Sequence, residues 1–545
     1  MRKTLDRLRP LLDRLFGLDL RSLAALRITL AGYLLWDLAD RARALEAHYT
    51  DLGVYPVAMQ RFAHENDGYP WEEWGVHWPN YWSLHALRGD LNWEVFLFAV
   101  NALILVGMLV GYKTRLTMLL SWFFLASLHN RNPMVLHGGD NMARVLLFWS
   151  LFLPLGARWS LDGSAAIRRA YGEAVPRRVL SLAGFGLLWQ VALVYFLTAY
   201  WKQGAEWHRE GTALYYALSI DYFGTWPGRL LRQSLWLTKL GTWGSLCWEA
   251  FGPLLLFVPK DRVRIFVVLG SWAFHLLGIG IFMDVWPLPA ISAILWVGLL
   301  PGSFWDGLAA WFERRPESVV KTRLLGIYTK LVALRNRRVR ACVERRIPLP
   351  DFRASFLGTG GAAVCLALVT AWNLIDAKTP VAGILNGPFQ AVRWLAPFTR
   401  LDQRWNMFSP YPGREDGWFA MPAVTKDGRT FDTFTRQPVA WVKPAEVRLM
   451  FPNERWRKYL TNLWSKENRW QWRSYVDWAC ASSKKYEGPR NRIESLQVYY
   501  MLEKTPPPGQ APTIEKVELF GQYWCDRADA PKEIEKQNGI APRNP

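Results

Sequence analysis

Long apolar blocks separated by charged connections constrain this chain more than any other feature. A helix rises 1.5 Å per residue and needs roughly 17 to 25 mostly apolar residues to cross a hydrocarbon core of about 30 Å. Nine windows approach this description: 22–38, 91–112, 116–128, 142–157, 179–201, 242–258, 263–282, 286–301 and 354–375. The third and fourth are short, which fits tilted or partly re-entrant segments, so the count can change by one. The sequence predicts an all-α polytopic membrane protein with about nine transmembrane helices.

The basic residues give these spans a direction. With the N-terminus inside, the inner connections carry 28 Lys and Arg, whereas the outer ones carry 10. Cytoplasmic loops are enriched in these residues, so we predict an integral plasma (inner) membrane protein with a cytoplasmic N-terminus and an extracytoplasmic C-terminal domain. The net charge of +20 is then largely an orientation signal, and no nucleic-acid partner is expected. Segment 379–398 is apolar but interrupted by prolines, which favours an interfacial position; if it spans, the C-terminal domain lies inside.

Composition divides the chain into five parts. These are a cytoplasmic amphipathic segment (1–21), a transmembrane domain (22–375), an interfacial linker (376–400), an extracytoplasmic α+β domain (401–528) and a flexible tail (529–545). In the α+β domain we predict a hairpin of 418–423 with 430–435, further strands at 496–502 and 514–520, and Trp-rich helices at 453–467 and 468–481. Cys480 and Cys525 could form a disulfide or remain two thiols. No cysteine pair has metal-site spacing, so no metal is expected.

Ionisable side chains near apolar depth are the candidate functional residues, because each is costly there unless it is paired or faces a cavity. Arg27 lies inside the first span with Asp37 at its far end, and a structural contact between helices is the favoured interpretation. Segment 129–141 contains His129, His137 and Asp140 beside a Gly-Gly pair. Such residues could exchange protons, or they could form a polar turn that caps the following helix. Both interpretations stay open.

Lys202 leaves the outer end of the fifth span between Trp201 and Trp207, with Glu206 and His208 close along the chain. An amine among aromatic groups can have its pKa lowered and act as a base. Alternatively, the lysine extends to the lipid headgroups while the tryptophans anchor the interface, and spacing alone favours this second interpretation.

Two further ionisable residues, Glu249 and His275, lie within the sixth and seventh spans. They could pair with each other, serve in a proton relay, or make ordinary hydrogen bonds between helices. The outer loop 69–82 is dense in Trp and Tyr, which suits an interfacial lid or a lipid-contacting segment. The sequence contains no Walker loop, dinucleotide fingerprint, nucleophile elbow or metalloprotease motif.

Several short motifs occur together and in order. They are Leu26-Arg27, Tyr49-Thr50-Asp51-Leu52-Gly53, His129-Asn130-Arg131-Asn132, Gly138-Gly139-Asp140, Phe152-Leu153-Pro154-Leu155-Gly156, Trp159-Ser160-Leu161-Asp162, 275–282, Trp405-Asn406-Met407-Phe408-Ser409-Pro410 and Asp416-Gly417-Trp418. In this combination the chain resembles, over roughly residues 20–435, the horizontally transferred transmembrane domain family, which is related to vitamin K-dependent gamma-carboxylase.

The resemblance implies an enzyme in which a lysine deprotonates vitamin K hydroquinone, whose oxidation then yields a base strong enough to remove a glutamate γ-proton. Lys202 and Trp207 keep the spacing of the family lysine and its tryptophan, although the stretch to Gly211 is one residue longer. The family's histidine before the fourth span is matched by His137, but a gapless match places Gly139 there. The implied cofactor is a reduced quinone such as vitamin K hydroquinone, and the implied partner is a peptide or protein substrate at the outer face.

We therefore predict an outer-face site in which Lys202 acts on a quinone-like or other lipid-soluble cosubstrate. The predicted catalytic residues are Lys202, His137, Asp140, Glu206 and His275, and the predicted cofactor-binding residues are Trp201 and Trp207. Two other classes remain open. One is a transport or export component with a path lined by Arg27, Glu249 and His275, and the other is a non-catalytic membrane scaffold whose C-terminal domain binds a partner.

Overall fold

Helices form most of the molecule in the computed structural model, which describes residues 2–66, 82–170, 172–314, 319–344, 356–465, 468 and 471–526. The first ten helices are α1 (Arg2–Phe16), α2 (Leu20–Ala42), α3 (Leu45–Tyr49), α4 (Val57–Asn66), α5 (Leu91–Val110), α6 (Thr114–Arg131), α7 (Gly138–Ser150), α8 (Ser164–Ala170), α9 (Leu182–Trp201) and α10 (Ala205–His208). Those that follow are α11 (Ala213–Ala217), α12 (Trp226–Arg232), α13 (Leu235–Phe251), α14 (Asp261–Trp272), α15 (Leu288–Val297), α16 (Gly302–Glu313), α17 (Val319–Glu344), α18 (Phe356–Asp376), α19 (Ala382–Gln390), α20 (Leu395–Phe398), α21 (Glu454–Trp464) and α22 (Trp472–Tyr486).

Five helical segments in the described residues are long and apolar enough to cross a membrane: Leu20–Ala42, Leu91–Val110, Leu182–Trp201, Asp261–Ile279 and Gly358–Asp376. A sixth is reached only if α15 and α16, which meet at a 99° bend, count as one broken span. The predicted count of nine is not confirmed. One reason is that α7 has 13 residues and ends at Ser150, so it rises only about 20 Å. The apolar helices indicate a membrane protein, as predicted.

Local signals set the ends of two long apolar helices, one of which leads directly to Lys202. Asp90 caps α5 by accepting a hydrogen bond from the backbone nitrogen of Trp93, and the helix ends at Gly111, whose φ of +69° suits glycine. Ser181 caps α9 in the same way through Gly184. The last residue of α9 is Trp201, and Lys202 follows with non-helical backbone angles. This end of α9 therefore turns the lysine away from the helix direction.

A five-stranded antiparallel sheet forms the core of the C-terminal part. Its strands are β3 (Glu415–Ala420), β4 (Pro422–Thr425), β5 (Thr430–Asp432), β6 (Ile493–Lys504) and β7 (Thr513–Trp524), after a short pair formed by β1 (Leu18–Asp19) and β2 (Arg178–Val179). The central strand β6 pairs with β3 and β4 along one edge and with β7 along the other. The predicted hairpin is present as β4 and β5, but 418–420 belongs to β3 and pairs with β6. Residues 418–420 pair with β6 and not with β5, because β6 is long enough to pair with all six residues of β3.

The C-terminal part packs directly on the helix bundle. Buried side chains of α21, α22 and β6 join those of α2, α6 and α7 in one continuous apolar core. On α21, Asn462 donates to the carbonyl oxygen of Met134 at 2.8 Å, and Arg457 donates to that of Tyr222 at 2.7 Å. Cys480 and Cys525 form a disulfide that links α22 to the chain just after β7. Most of the aromatic loop 69–82 and the terminal segment 529–545 lie outside the described residues.

Candidate functional site

Lys202 lies in a buried contact with one carboxylate and one aromatic ring. Its Nζ forms an ion pair with Glu249 of α13, and both side chains are less than a tenth exposed. The same Nζ lies 4.4 Å from the centroid of the Trp207 ring, a cation–π distance. We call these three residues the lysine site. Sequence reasoning singled out each of them but did not pair Lys202 with Glu249.

The loop that carries Lys202 is fixed by the segment around residue 408. Trp207 Nε1 donates to the carbonyl oxygen of Phe408 at 3.1 Å, and the backbone nitrogen of Gly204 donates to that of Pro410 at 2.8 Å. His208 Nε2 donates back to the carbonyl oxygen of Lys202 at 2.6 Å. Residues 405–410 form one of the motifs behind the family resemblance, and the structure brings that motif to the lysine loop.

Glu206 and Trp201 lie close to Lys202 in sequence but contact other partners. Glu206 forms an ion pair with Arg414 at 2.5 Å. Trp201 has Arg404 over its ring, with 5.4 Å between the guanidinium carbon and the ring centroid. The carboxylate that reaches Lys202 is therefore Glu249, and the predicted role of Glu206 as its helper lacks a direct contact in the described structure.

His275 also has a different partner from the predicted one. It lies in the π-helical turn Ala273–Ile279, and its Nε2 hydrogen-bonds the hydroxyl of Tyr195, which accepts a second bond from Trp296 Nε1 at 2.8 Å. The suggested pairing of His275 with Glu249 is wrong, since Glu249 pairs with Lys202. Turns of π-helix occur frequently at functional sites. Tyr195 precedes Lys202 by two turns on α9 and was missed, because a tyrosine in an apolar helix gives no sequence signal.

His137 and Asp140 cap helix α7. His137 Nδ1 accepts from the backbone nitrogen of Gly139 at 2.9 Å, and Asp140 Oδ2 accepts from the backbone nitrogen of His137 at 2.8 Å. This reciprocal pair is a capping box. The geometry therefore agrees with the structural alternative for this segment.

Asp140 also belongs to a buried group of four charges, which we call the charge cluster: Asp37, Arg41, Asp140 and Arg455. Arg41 bonds Asp37 at 2.8 Å and Asp140 at 2.6 Å, and Arg455 reaches the same two carboxylates at 2.5 and 2.6 Å. His129 Nε2 lies 3.4 Å from Asp140 Oδ1. Two positive and two negative side chains balance, which limits the cost of burying them. Arg455 was missed because it lies 418 residues from Asp37.

The candidate residues thus separate into groups with different contacts. Within the part of the chain that is described, no hydrogen bond or ion pair joins the lysine site to the charge cluster. Arg27 belongs to neither, because its guanidinium donates to backbone carbonyl oxygens, including those of Leu155 at 3.1 Å and Trp159 at 2.6 Å. Arg27 therefore stabilises the turn that follows α7 through these hydrogen bonds. Among the described residues, no cluster of three or more His, Cys, Asp or Glu side chains could hold a metal.

Comparison with known proteins gives one similarity. The chain is 26% identical over 179 residues to the uncharacterized protein YitO of Bacillus subtilis, a match that covers 30% of this chain and 54% of YitO. The chain thus matches only about half the length of that relative. No protein-family model and no solved structure matches the chain. The resemblance to the transmembrane family therefore stays a prediction.

Proposed function

We propose that this chain is a membrane enzyme of the kind its motifs resemble, in which Lys202 acts as a base on a reduced quinone or a similar lipid-soluble cosubstrate. The supporting observation is the buried contact of Lys202 Nζ with Glu249 and with the face of Trp207. A lysine that has one acidic partner and one aromatic wall is shielded from water, and proton transfer in such a place is controlled by few groups.

Each member of the lysine site has a role in this proposal. Lys202 must lose a proton before its amine can accept another, and Glu249 is the group in contact that can take it. Moving one proton converts the buried ammonium–carboxylate pair into an amine and a carboxylic acid, which removes two charges from an apolar surround. Trp207 supplies a flat face beside the amine, which suits a planar ring.

The cosubstrate supplies, when bound, an acidic ring hydroxyl and the reducing electrons. The lysine site is chemically suited to such a group, because it combines the aromatic face of Trp207 with the amine of Lys202. Only 5% of the Lys202 side chain is exposed, so access requires movement of residues 202–211. The hydrogen bonds of this loop to Phe408 and Pro410 are the contacts that such a movement would break.

The placement in the membrane is part of the proposal. Nine spans with the N-terminus inside agree with the 28 basic residues in the inner connections against 10 in the outer ones. The disulfide between Cys480 and Cys525 supports an extracytoplasmic C-terminal domain, because disulfides persist in oxidising compartments. This orientation puts the lysine site at the outer face of an inner membrane, where a peptide or protein substrate could reach it.

Two substitutions of Lys202 test the base role. Lys202→Arg keeps a positive charge for Glu249, but arginine stays protonated and cannot serve as a base, so oxidation of vitamin K hydroquinone in proteoliposomes should fall at least about 100-fold. Lys202→Met should lose the same activity and also stability, because it leaves Glu249 without its cation. Lys202→Met combined with Glu249→Leu should regain stability but not activity.

A control and a contradicting result follow from the same contacts. Lys239→Arg, on α13, should leave oxidation unchanged, because Lys239 takes no part in the lysine site. Wild-type rates of hydroquinone oxidation in Lys202→Arg would overturn the base assignment. If no hydroquinone is oxidised and proteoliposomes instead show solute flux that depends on Glu249 and is unaffected by Lys202→Arg, the transport alternative is favoured.

A further inference from the structure

An arginine-lined cavity lies at the end of the bundle away from the C-terminal part. The C-terminal part contacts α2 near Asp37 and Arg41, whereas the cavity borders the start of that helix at Asp19 and Arg21. Its volume is about 480 Å³. The beginning of α14 and the beginning of α16 complete its walls. We call it the arginine cavity.

The charges in the arginine cavity do not balance. Arg21 pairs with Asp19 at 3.1 Å and with Asp306 at 2.6 Å, and Arg178 pairs with Asp261 at 3.0 Å. These pairs use all three carboxylates that line the cavity. The other two lining arginines, Arg14 and Arg177, form no ion pair with a carboxylate in the described part of the chain, although Arg177 lies near enough to Asp306 to help lower the pKa of that carboxyl. Two guanidinium groups are thus left available for an anion.

A neighbouring arginine shows the same excess of positive charge. Arg158 is half-buried, and its Nε has no hydrogen-bond partner among the described residues. Burial lowers the pKa of Arg158, and repulsion from Arg169 and Arg21 lowers it further. An anion bound nearby would relieve this repulsion.

Two helices that contribute residues to the cavity indicate the source of the anion. Helix α1, which carries Arg14, exposes Leu8 and Leu11, and α16 exposes Leu308 and Trp311. Helix α16 turns by 99° from α15, so it would lie along the membrane surface if α15 enters the membrane. Exposed apolar side chains on the helices that also line a basic cavity suit a molecule with both acyl chains and a phosphate. A soluble phosphate would use the arginines alone.

We propose that the arginine cavity binds the phosphoryl headgroup of an anionic phospholipid. Arg14 and Arg177 contact the phosphoryl oxygens, since planar guanidinium groups match that geometry. Arg21 and Arg178 remain bound to their aspartates and shape the cavity. The site does not depend on the chemistry of Lys202, nor on which side of the membrane it faces.

The test measures lipid binding to the full chain in detergent after lipid depletion. Phosphatidylglycerol and phosphatidylcholine are titrated and followed by native mass spectrometry. The wild type should retain phosphatidylglycerol preferentially, and Arg14→Gln with Arg177→Gln should weaken its binding about 30-fold, at roughly 1 kcal/mol for each basic residue near a headgroup. The matched control is Arg337→Gln with Arg340→Gln, which removes two exposed arginines of α17 and should leave binding within about twofold.

Competition with glycerol phosphate separates the two possible sources of the phosphoryl group. Little displacement of phosphatidylglycerol by millimolar glycerol phosphate supports a lipid site. Glycerol phosphate that binds as tightly as the lipid, and only when Arg14 and Arg177 are present, would overturn the lipid assignment in favour of a soluble phosphate. Equal losses in the cavity variant and the α17 control would overturn the site itself, because they would reflect overall charge only.

Discussion

Asp416, on β3, is a carboxylate held where its charge is costly. It is 2% exposed, and its Oδ2 accepts a hydrogen bond from the backbone nitrogen of Asp221. Burial, together with the nearby carboxylates of Asp221 and Glu503, raises its pKa to about 7, although the hydrogen bond from Asp221 and the charge of Lys443 act in the opposite direction. Lys443 contacts Asp221 and Glu503, at 2.5 and 2.6 Å, rather than Asp416. Asp416 therefore keeps its proton at pH values at which an exposed aspartate has lost its own.

This pKa predicts a loss of stability as the pH rises. An aspartate with a folded pKa of about 7 and an unfolded pKa of about 3.9 contributes stability below about pH 4 that is lost as the pH rises through about 7. Asp416→Asn should remove this dependence, because the amide oxygen can still accept from Asp221. The gain at pH 8 should be on the order of 4 kcal/mol at most. Thermal unfolding of the purified chain between pH 4 and 8 measures it.

The control for this prediction is Asp427→Asn in the exposed hairpin turn. A hydrogen bond from Thr425 lowers the pKa of Asp427, so its titration lies below the tested range. Its substitution should leave the slope of stability against pH unchanged. An equal slope in the wild type and in Asp416→Asn would contradict the assignment to Asp416.

At the scale of elements, His137 at the start of α7 allows a capping role to be tested separately from a catalytic role. His137 accepts from the backbone nitrogen of Gly139, and asparagine is among the best residues at this position. His137→Ala should therefore lower stability by about 1 kcal/mol, and His137→Asn should recover most of that loss. Denaturant unfolding measures both variants. If His137→Asn is as stable as the wild type but loses hydroquinone oxidation, the histidine acts chemically and the capping interpretation alone is insufficient.

Elements were more predictable than the contacts between them. Local periodicity and turn residues were enough for the hairpin of β4 and β5, for α21 and α22 and for the five long apolar helices, because each depends on neighbouring residues. The predicted span 142–157 does not correspond to one helix, because α7 ends at Ser150 and apolar residues after it, including Leu153 and Leu155, are buried in a non-helical turn. The pairing of Lys202 with Glu249 spans 47 residues and follows from how α9 packs on α13, which no local pattern encodes.

At the scale of the whole molecule, Arg455 connects the C-terminal part to the helix bundle. It extends from α21 and binds Asp37 of α2 and Asp140 of α7, and it is 1% exposed. Without it, two buried carboxylates share the single cation Arg41. The C-terminal part therefore completes the charge balance of the bundle.

The charge cluster leads to a prediction about docking. Arg455→Met should destabilise the chain by about 3–5 kcal/mol, because it leaves one buried negative charge without compensation. It should also accelerate proteolytic release of the C-terminal part through the linker 376–400. Adding Asp37→Asn restores the balance between Arg41 and Asp140, so the double variant should recover at least half of the lost stability. Thermal unfolding and limited proteolysis in detergent measure both effects.

Arg473 provides the matched comparison, because it forms an exposed ion pair with Asp477 on α22. Arg473→Met should change stability by less than about 1 kcal/mol, as exposed pairs contribute little. If Arg455→Met behaves like Arg473→Met, the charge cluster does not hold the two parts together, and the shared apolar core of α21 with the bundle must do so alone. If the double variant recovers stability, the loss of stability in Arg455→Met comes from the unpaired carboxylate. Charge balance, rather than packing volume, then explains why an arginine extends from α21 into the bundle.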